Sequence, residues 1–166
     1  MVKFLLLAAL FVAAQSEKTV ESGIIVGSVD PPGSSTVSEP LQIVLLSPQY
    51  VELWEGDLQK RLDSYWERYK PAFAQNKEFF TEISRMAYLD SIQFVVNRMR
   101  RDLREGIAAF LQQSSGEGRF EFKNVPFGDY KVIAMGRAGG QQLIWQEPIA
   151  VKSSVPQFLE LKTRIP

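Results

Sequence analysis

The chain has 166 residues, 19 Lys and Arg against 19 Asp and Glu, 45% hydrophobic residues, and neither His nor Cys. Zero net charge gives no whole-chain field to draw it to nucleic acid or to an anionic membrane. Without imidazole or thiol, the usual zinc, copper, haem and iron–sulfur sites cannot be built, nor can Ser-His or Cys-His catalysis, so no metal or cofactor is expected and the chain reads as non-enzymatic.

Lys3 followed by the apolar run Phe4 to Ala14 (FLLLAALFVAA) has the layout of a secretory signal peptide, with small residues at two candidate cleavage points, after Ala14 or after Ser16. The run is too short to span a bilayer, which needs about 20 apolar residues. The expectation is a leader over 1–16 and a single exported domain over 17–166, periplasmic or extracellular. With no Cys there is no lipidated N-terminal cysteine and no disulfide. Asn76, Asn97 and Asn124 are the chain's three asparagines, and none starts an Asn-x-Ser/Thr site. These absences suit a soluble bacterial protein of the periplasm or the medium.

Gly23 to Asp30 (GIIVGSVD) is apolar and β-branched, and it stops at the turn residues Pro31-Pro32-Gly33. Leu41 to Ser47 (LQIVLLS), between Pro40 and Pro48, predicts a second short strand. The period then changes. Val51, Trp54, Leu58, Leu62, Tyr65 and Tyr69 recur in steps of 3 and 4, one stripe of a helix. Pro71 disfavours helical geometry at Lys70, so a break or sharp kink is expected there, with Pro71 able to open the next helix. A second stripe runs through Phe79, Ile83, Met86, Leu89, Ile92, Val96, Met99, Leu103, Ile107 and Phe110.

Charge suggests how these helices pair. Glu52, Glu55 and Asp57 open the segment 51–113, and Arg98, Arg100, Arg101 and Arg104 close it. Folded back as an antiparallel hairpin, the two ends would meet and attract, each complementing a helix dipole. A helical hairpin over 51–113 is therefore expected, bringing Tyr50 and Ser114 close enough to rejoin a sheet.

Period two returns at Gly118 to Asn124 (GRFEFKN), with Phe120 and Phe122 on one face. Val125 to Gly128 reads as a turn, Asp129 to Met135 as a strand with Tyr130, Val132 and Ala134 on one face, and Gly136 to Gly140 as another turn. Leu143 to Gln146, Ile149 to Lys152 and Gln157 to Lys162 supply the remaining strands, with Pro148 and Pro156 marking edges or boundaries. Six or seven short strands on either side of a helical block predict an α+β chain.

The run Gly118-x-Phe120-x-Phe122-x-Asn124-Val125-Pro126-x-Gly128-x-Tyr130-x-Val132 resembles the signature of carboxypeptidase regulatory-like domains, small sandwiches similar in fold to transthyretin and to the B-type repeats of collagen adhesins. The resemblance implies an antiparallel, Greek-key-like β-sandwich of 6–7 strands, here interrupted by the inserted helical hairpin 51–113 where such domains have a short connection. It says little about function, because one sandwich scaffold hosts many roles. The internal Lys-to-Asn cross-link of adhesin repeats is not expected, since Gly23 to Asp30 holds no Lys and the last strand no Asn.

The insertion carries ten of the chain's 19 aromatic residues. One reading has them fill the hairpin seam and its contact with the sheet. The other makes some of them anchors for a protein partner or for self-association, since aromatics edged by Arg are typical of interface hot spots. The residues that separate the two readings lie off the stripes: Trp66, Phe73, Phe80 and Phe94, with Arg98 and Arg101 beside them. The alternative ligand is carbohydrate, stacked on Trp145 with Tyr130. No local pattern selects a catalytic pair of carboxylates.

Overall fold

The computed structural model describes residues 21–31, 37, 39–73, 76, 78–104, 106–138 and 141–165. The expected leader 1–16 and most of the turn after Pro31 lie outside the described residues, as does the side chain of Phe73.

Alternation builds the smaller sheet. β1 (Ser22–Val29) buries every second residue, Gly23, Ile25, Gly27 and Val29. It lies between β4 (Arg119–Pro126), antiparallel to it, and β7 (Gln157–Leu161), parallel to it. Phe120 and Phe122 point inward, as their spacing predicts. Gly27 sits opposite Phe120, and a Cβ there would stand 2.0 Å from the ring, so glycine leaves the space that the phenyl fills. The β1–β4 register slips between Gly23 and Ile25, next to Asn124 at φ 54°. Asn is one of the few residues that tolerate this left-handed conformation, which gives the Asn of the Gly-x-Phe-x-Phe-x-Asn run a physical reason.

The larger sheet is antiparallel throughout, in the order β3 (Leu111–Gln113), β2 (Gln42–Leu46), β5 (Gly128–Ala138), β6 (Gln141–Val151), β8 (Arg164–Ile165). Ile43, Leu45, Val132, Ala134 and Trp145 share the face that meets the smaller sheet, where the Trp145 indole N–H donates to the carbonyl of Asp30 at 3.1 Å. The opposite face is also buried: Val44, Leu46 and Ile133 are within 1% of fully covered. α1 (Pro48–Phe73) lies against β2 and β5 there, and Lys131 from that face reaches over the Trp54 ring at 4.8 Å and pairs with Glu55 at 2.7 Å. The molecule is thus a two-sheet sandwich with a helical hairpin as a third layer, the α+β architecture expected.

Several boundaries differ from expectation. Eight strands form among the described residues rather than six or seven, because the short β3 and β8 are added while Leu143–Gln146 and Ile149–Lys152 fuse into β6. Pro148 does not divide them: the β8 side of β6 is last engaged at Gln146, whose backbone N–H donates to the Thr163 carbonyl at 3.0 Å, and beyond it only β5 pairs with β6, leaving an unshared strand edge where proline fits. The hairpin starts earlier and ends sooner. Ser47 accepts the first helical N–H groups and Pro48 occupies the first turn, where its missing donor costs nothing. Pro71 lies inside α1 without ending it, being within the last turn, and the reversal comes at Asn76, whose side chain accepts the N–H of Glu78 at 2.9 Å. α2 (Glu78–Arg100) stops ten residues short of Phe110, so Leu103 on the predicted stripe is 98% exposed and Leu111 to Gln113 are strand rather than helix.

Candidate functional site

Position along the hairpin decides what its aromatic side chains do. Near the base, Tyr50, Trp54 and Leu58, at helical spacing on α1, meet Ile92, Val95, Val96 and Met99 of α2 in the same core as the sandwich. Ser91 lets the helices close together, and its hydroxyl donates to the carbonyl of Trp54 at 3.1 Å. Beyond Leu58 no described residue of α1 is fully buried.

In the far half α2 still buries Ile83 and Ser84, and ring contacts add to them. Tyr69 meets Tyr65 and Phe79 edge-on at 6.2 and 5.8 Å, and the Tyr65 hydroxyl donates to Asp90 at 2.7 Å. Trp66 and Phe80 form an edge-to-face pair at 6.3 Å, yet keep 42% and 52% of their surface exposed. Met86, which the periodicity assigns to the seam, is also 43% exposed.

Of the other predicted partner residues, Phe94, Arg98 and Arg101 lie elsewhere. Phe94 is half-buried against the core and carries the Arg98 guanidinium over its ring at 5.4 Å, and Arg101 is exposed just past the helix end. Fourteen residues separate Phe80 from Phe94, about 21 Å of helix, so the five predicted residues with described side chains do not make one patch. They divide into an aromatic tip and a basic base. The two sugar-stacking candidates fail on burial. Trp145 is 0% and Tyr130 9% exposed, and the Tyr130 hydroxyl is committed to the Pro126 carbonyl at 2.9 Å, so neither offers a ring face to solvent.

The two ends of the hairpin do meet, but not through the acids predicted. Asp57 pairs with Arg61 at 2.5 Å along its own helix and Glu55 goes to Lys131. The junction is made by Asp102, which takes the Tyr50 hydroxyl and the Arg104 backbone N–H and guanidinium, while Arg104 also reaches Gln49 at 3.1 Å. The guanidinium first, then the tyrosine hydroxyl, hold the Asp102 carboxyl well below the usual carboxylate range. Burial, then the neighbouring carboxylate, raises the Tyr50 hydroxyl above the ordinary tyrosine range. A tyrosine kept protonated and a carboxylate kept ionised form a structural clasp, with no group poised to accept a proton near neutrality.

Beside Tyr130, the 3₁₀ turn Ile107–Phe110 and the end of β4 enclose a cavity of about 710 Å³ lined by Ile107, Phe110 and Pro126, with Ser22, Ser47, Lys123 and Asn124 at its polar wall. Phe110 and Tyr130 meet edge-on at 6.1 Å and fix that wall. Sequence reasoning missed both this cavity and the clasp, since each depends on a non-helical return after Arg100.

No family model and no curated protein matches the chain. Among solved structures, a Pseudomonas aeruginosa protein provisionally described as carbohydrate binding aligns over 87% of this chain and 90% of its own, at 16% identity and a TM-score of 0.39, a likeness too low to carry an argument about fold or ligand.

Proposed function

We propose that this is an exported, non-catalytic binding or scaffold protein, built on a carboxypeptidase regulatory-like sandwich, that engages a protein partner through the far end of its helical insertion. The observation that carries the reading is the Trp66–Phe80 pair, two large aromatics at the end of the hairpin away from the sheet that keep about half their surface in water. Burying such a pair stabilises a complex by about 25 cal/mol per Å² of apolar surface covered. The exposed Asp63, Glu67, Arg68 and Lys70 around it make a rim of mixed sign, the setting in which an aromatic anchor excludes water against another protein. The left-handed Asn124 and the inward Phe120 and Phe122 support the sandwich family.

A photo-cross-linking residue in place of the exposed Ser64 tests this in the producing cell. The expected result is an adduct with one identifiable envelope or secreted protein, absent from a Trp66→Ala, Phe80→Ala variant whose circular dichroism and Tm match the parent. Adducts only between copies of this chain would replace the partner by self-association. Adducts that persist in the double variant would remove the tip from the interface.

A further inference from the structure

Two arginines of the return after α2 have opposite fates. Arg104 is saturated by Asp102, Gln49 and Tyr50. Arg100, four residues earlier, has no ion pair or hydrogen bond from its side chain among the described residues, and its near neighbour Asp102 is already committed to the clasp. Arg100 lines a cavity of about 390 Å³ on the hairpin side of the larger sheet, where α2 ends against the β2–β3 edge. Its other walls are Gln42, Gln112, Gln113, Ala108 and Leu111.

β-pairing sets this group. Gln42 lies directly opposite Gln113, so their side chains leave the sheet on one face as neighbours. Leu111, two residues from Gln113, shares that face and floors the cavity with Ala108. Gln112 closes the edge, its amide N–H donating to the Glu121 carbonyl at 3.0 Å. The Gln42 and Gln113 amides make no hydrogen bond among the described residues, so two amides and one guanidinium with unspent donors converge on one concave, partly apolar surface.

The geometry points to Arg100, Gln42 and Gln113 as a binding site for a carboxylate-bearing, polyhydroxylated ligand, a uronic acid or a short oligomer of one. A guanidinium presents a planar fork of donors that matches a carboxylate bidentately. Each primary amide both donates and accepts, which suits the hydroxyls of a sugar, and Leu111 with Ala108 gives the C–H face of a pyranose an apolar bed. Among the described residues lining the cavity Arg100 is the one cation, which suits a monoanion, whereas a phosphate dianion would leave one charge unmatched. A cavity of this size lies within the ordinary range for small-ligand sites, about 300 to 1,000 Å³. The site lies at the base of the hairpin, apart from Trp66 and Phe80, and stands or falls independently of the protein-partner reading.

Calorimetric titration of the full chain with trigalacturonate, with the neutral galactose trisaccharide and with inorganic phosphate decides it. The expected result is binding of the acidic trisaccharide at least tenfold tighter than either control, weakened by added salt, reduced at least tenfold by Arg100→Gln and several-fold by Gln42→Ala with Gln113→Ala. All three positions carry exposed or half-exposed side chains, so the variants are expected to fold, and matching circular dichroism spectra verify it. Equal binding of the neutral sugar, equal binding of phosphate, no binding of the acidic sugar, or full affinity in Arg100→Gln would each overturn the site.

Discussion

The two halves of the hairpin are built from the same residue types and behave differently. At the base, Trp54 and Tyr50 are sealed between two helices and a sheet. At the tip, Trp66 and Phe80 touch each other but have no sheet beneath them and remain half in water. What an aromatic contributes in this chain is set by how many layers surround it. A residue between layers gains full desolvation and dispersion contacts, whereas one at the far end of the helix pair gains a fraction of each and leaves the rest of its surface in water.

The contrast can be broken most decisively in the sandwich. Trp145→Ala, which empties a fully covered site, is expected to cost about 3 to 5 kcal/mol in chemical denaturation; a loss below 1 kcal/mol would show that the layers do not enclose it. Next comes Gly27→Val, which drives a side chain into the Phe120 ring and is expected to cost about 1 to 3 kcal/mol, with Phe120→Ala on top restoring part of the loss. Trp66→Ala at the tip should cost about 1 kcal/mol or less, the worth of an exposed aromatic pair. Native-state hydrogen exchange sharpens the same point, with amides of the tip opening well below the global unfolding energy and those around Met99 near it.

The smallest effect is a pH dependence at the clasp. The Asp102 carboxyl is depressed in the folded chain, so its contribution is present above the ordinary carboxylate pKa of about 4 and is lost as pH falls below that value toward the folded one. The Tm gap between the parent and Asp102→Asn should therefore be constant from pH 7 to 5 and shrink below pH 4. A gap that widens on acidification would contradict the assigned charge states.

Much of this was legible in the sequence where one period governed one layer. Phe120 and Phe122 alternate because one sheet face is buried, and Tyr50, Trp54 and Leu58 repeat at helical spacing because one helix stripe is. Reading failed where a residue's neighbours come from distant chain. Leu103 continues the apolar rhythm of α2 yet lies beyond its end, almost wholly in water. Trp145 and Tyr130 carry the chemistry of sugar-stacking residues, but the second sheet covers them. The group around Arg100 was invisible because Gln112 and Gln113 read as the tail of a helix, and only their pairing with β2 brings Gln113 beside Gln42.

Because the hairpin base covers Val44, Leu46 and Ile133, the insertion is not a detachable graft. Excising it and splicing Ser47 to Leu111 would leave an oily sheet surface bare, and the shortened protein would aggregate unless those three positions were made hydrophilic at the same time. Any natural chain of this fold that lacks the helices should already carry that exchange, so a pattern of water-compatible residues at those three strand positions would mark its absence.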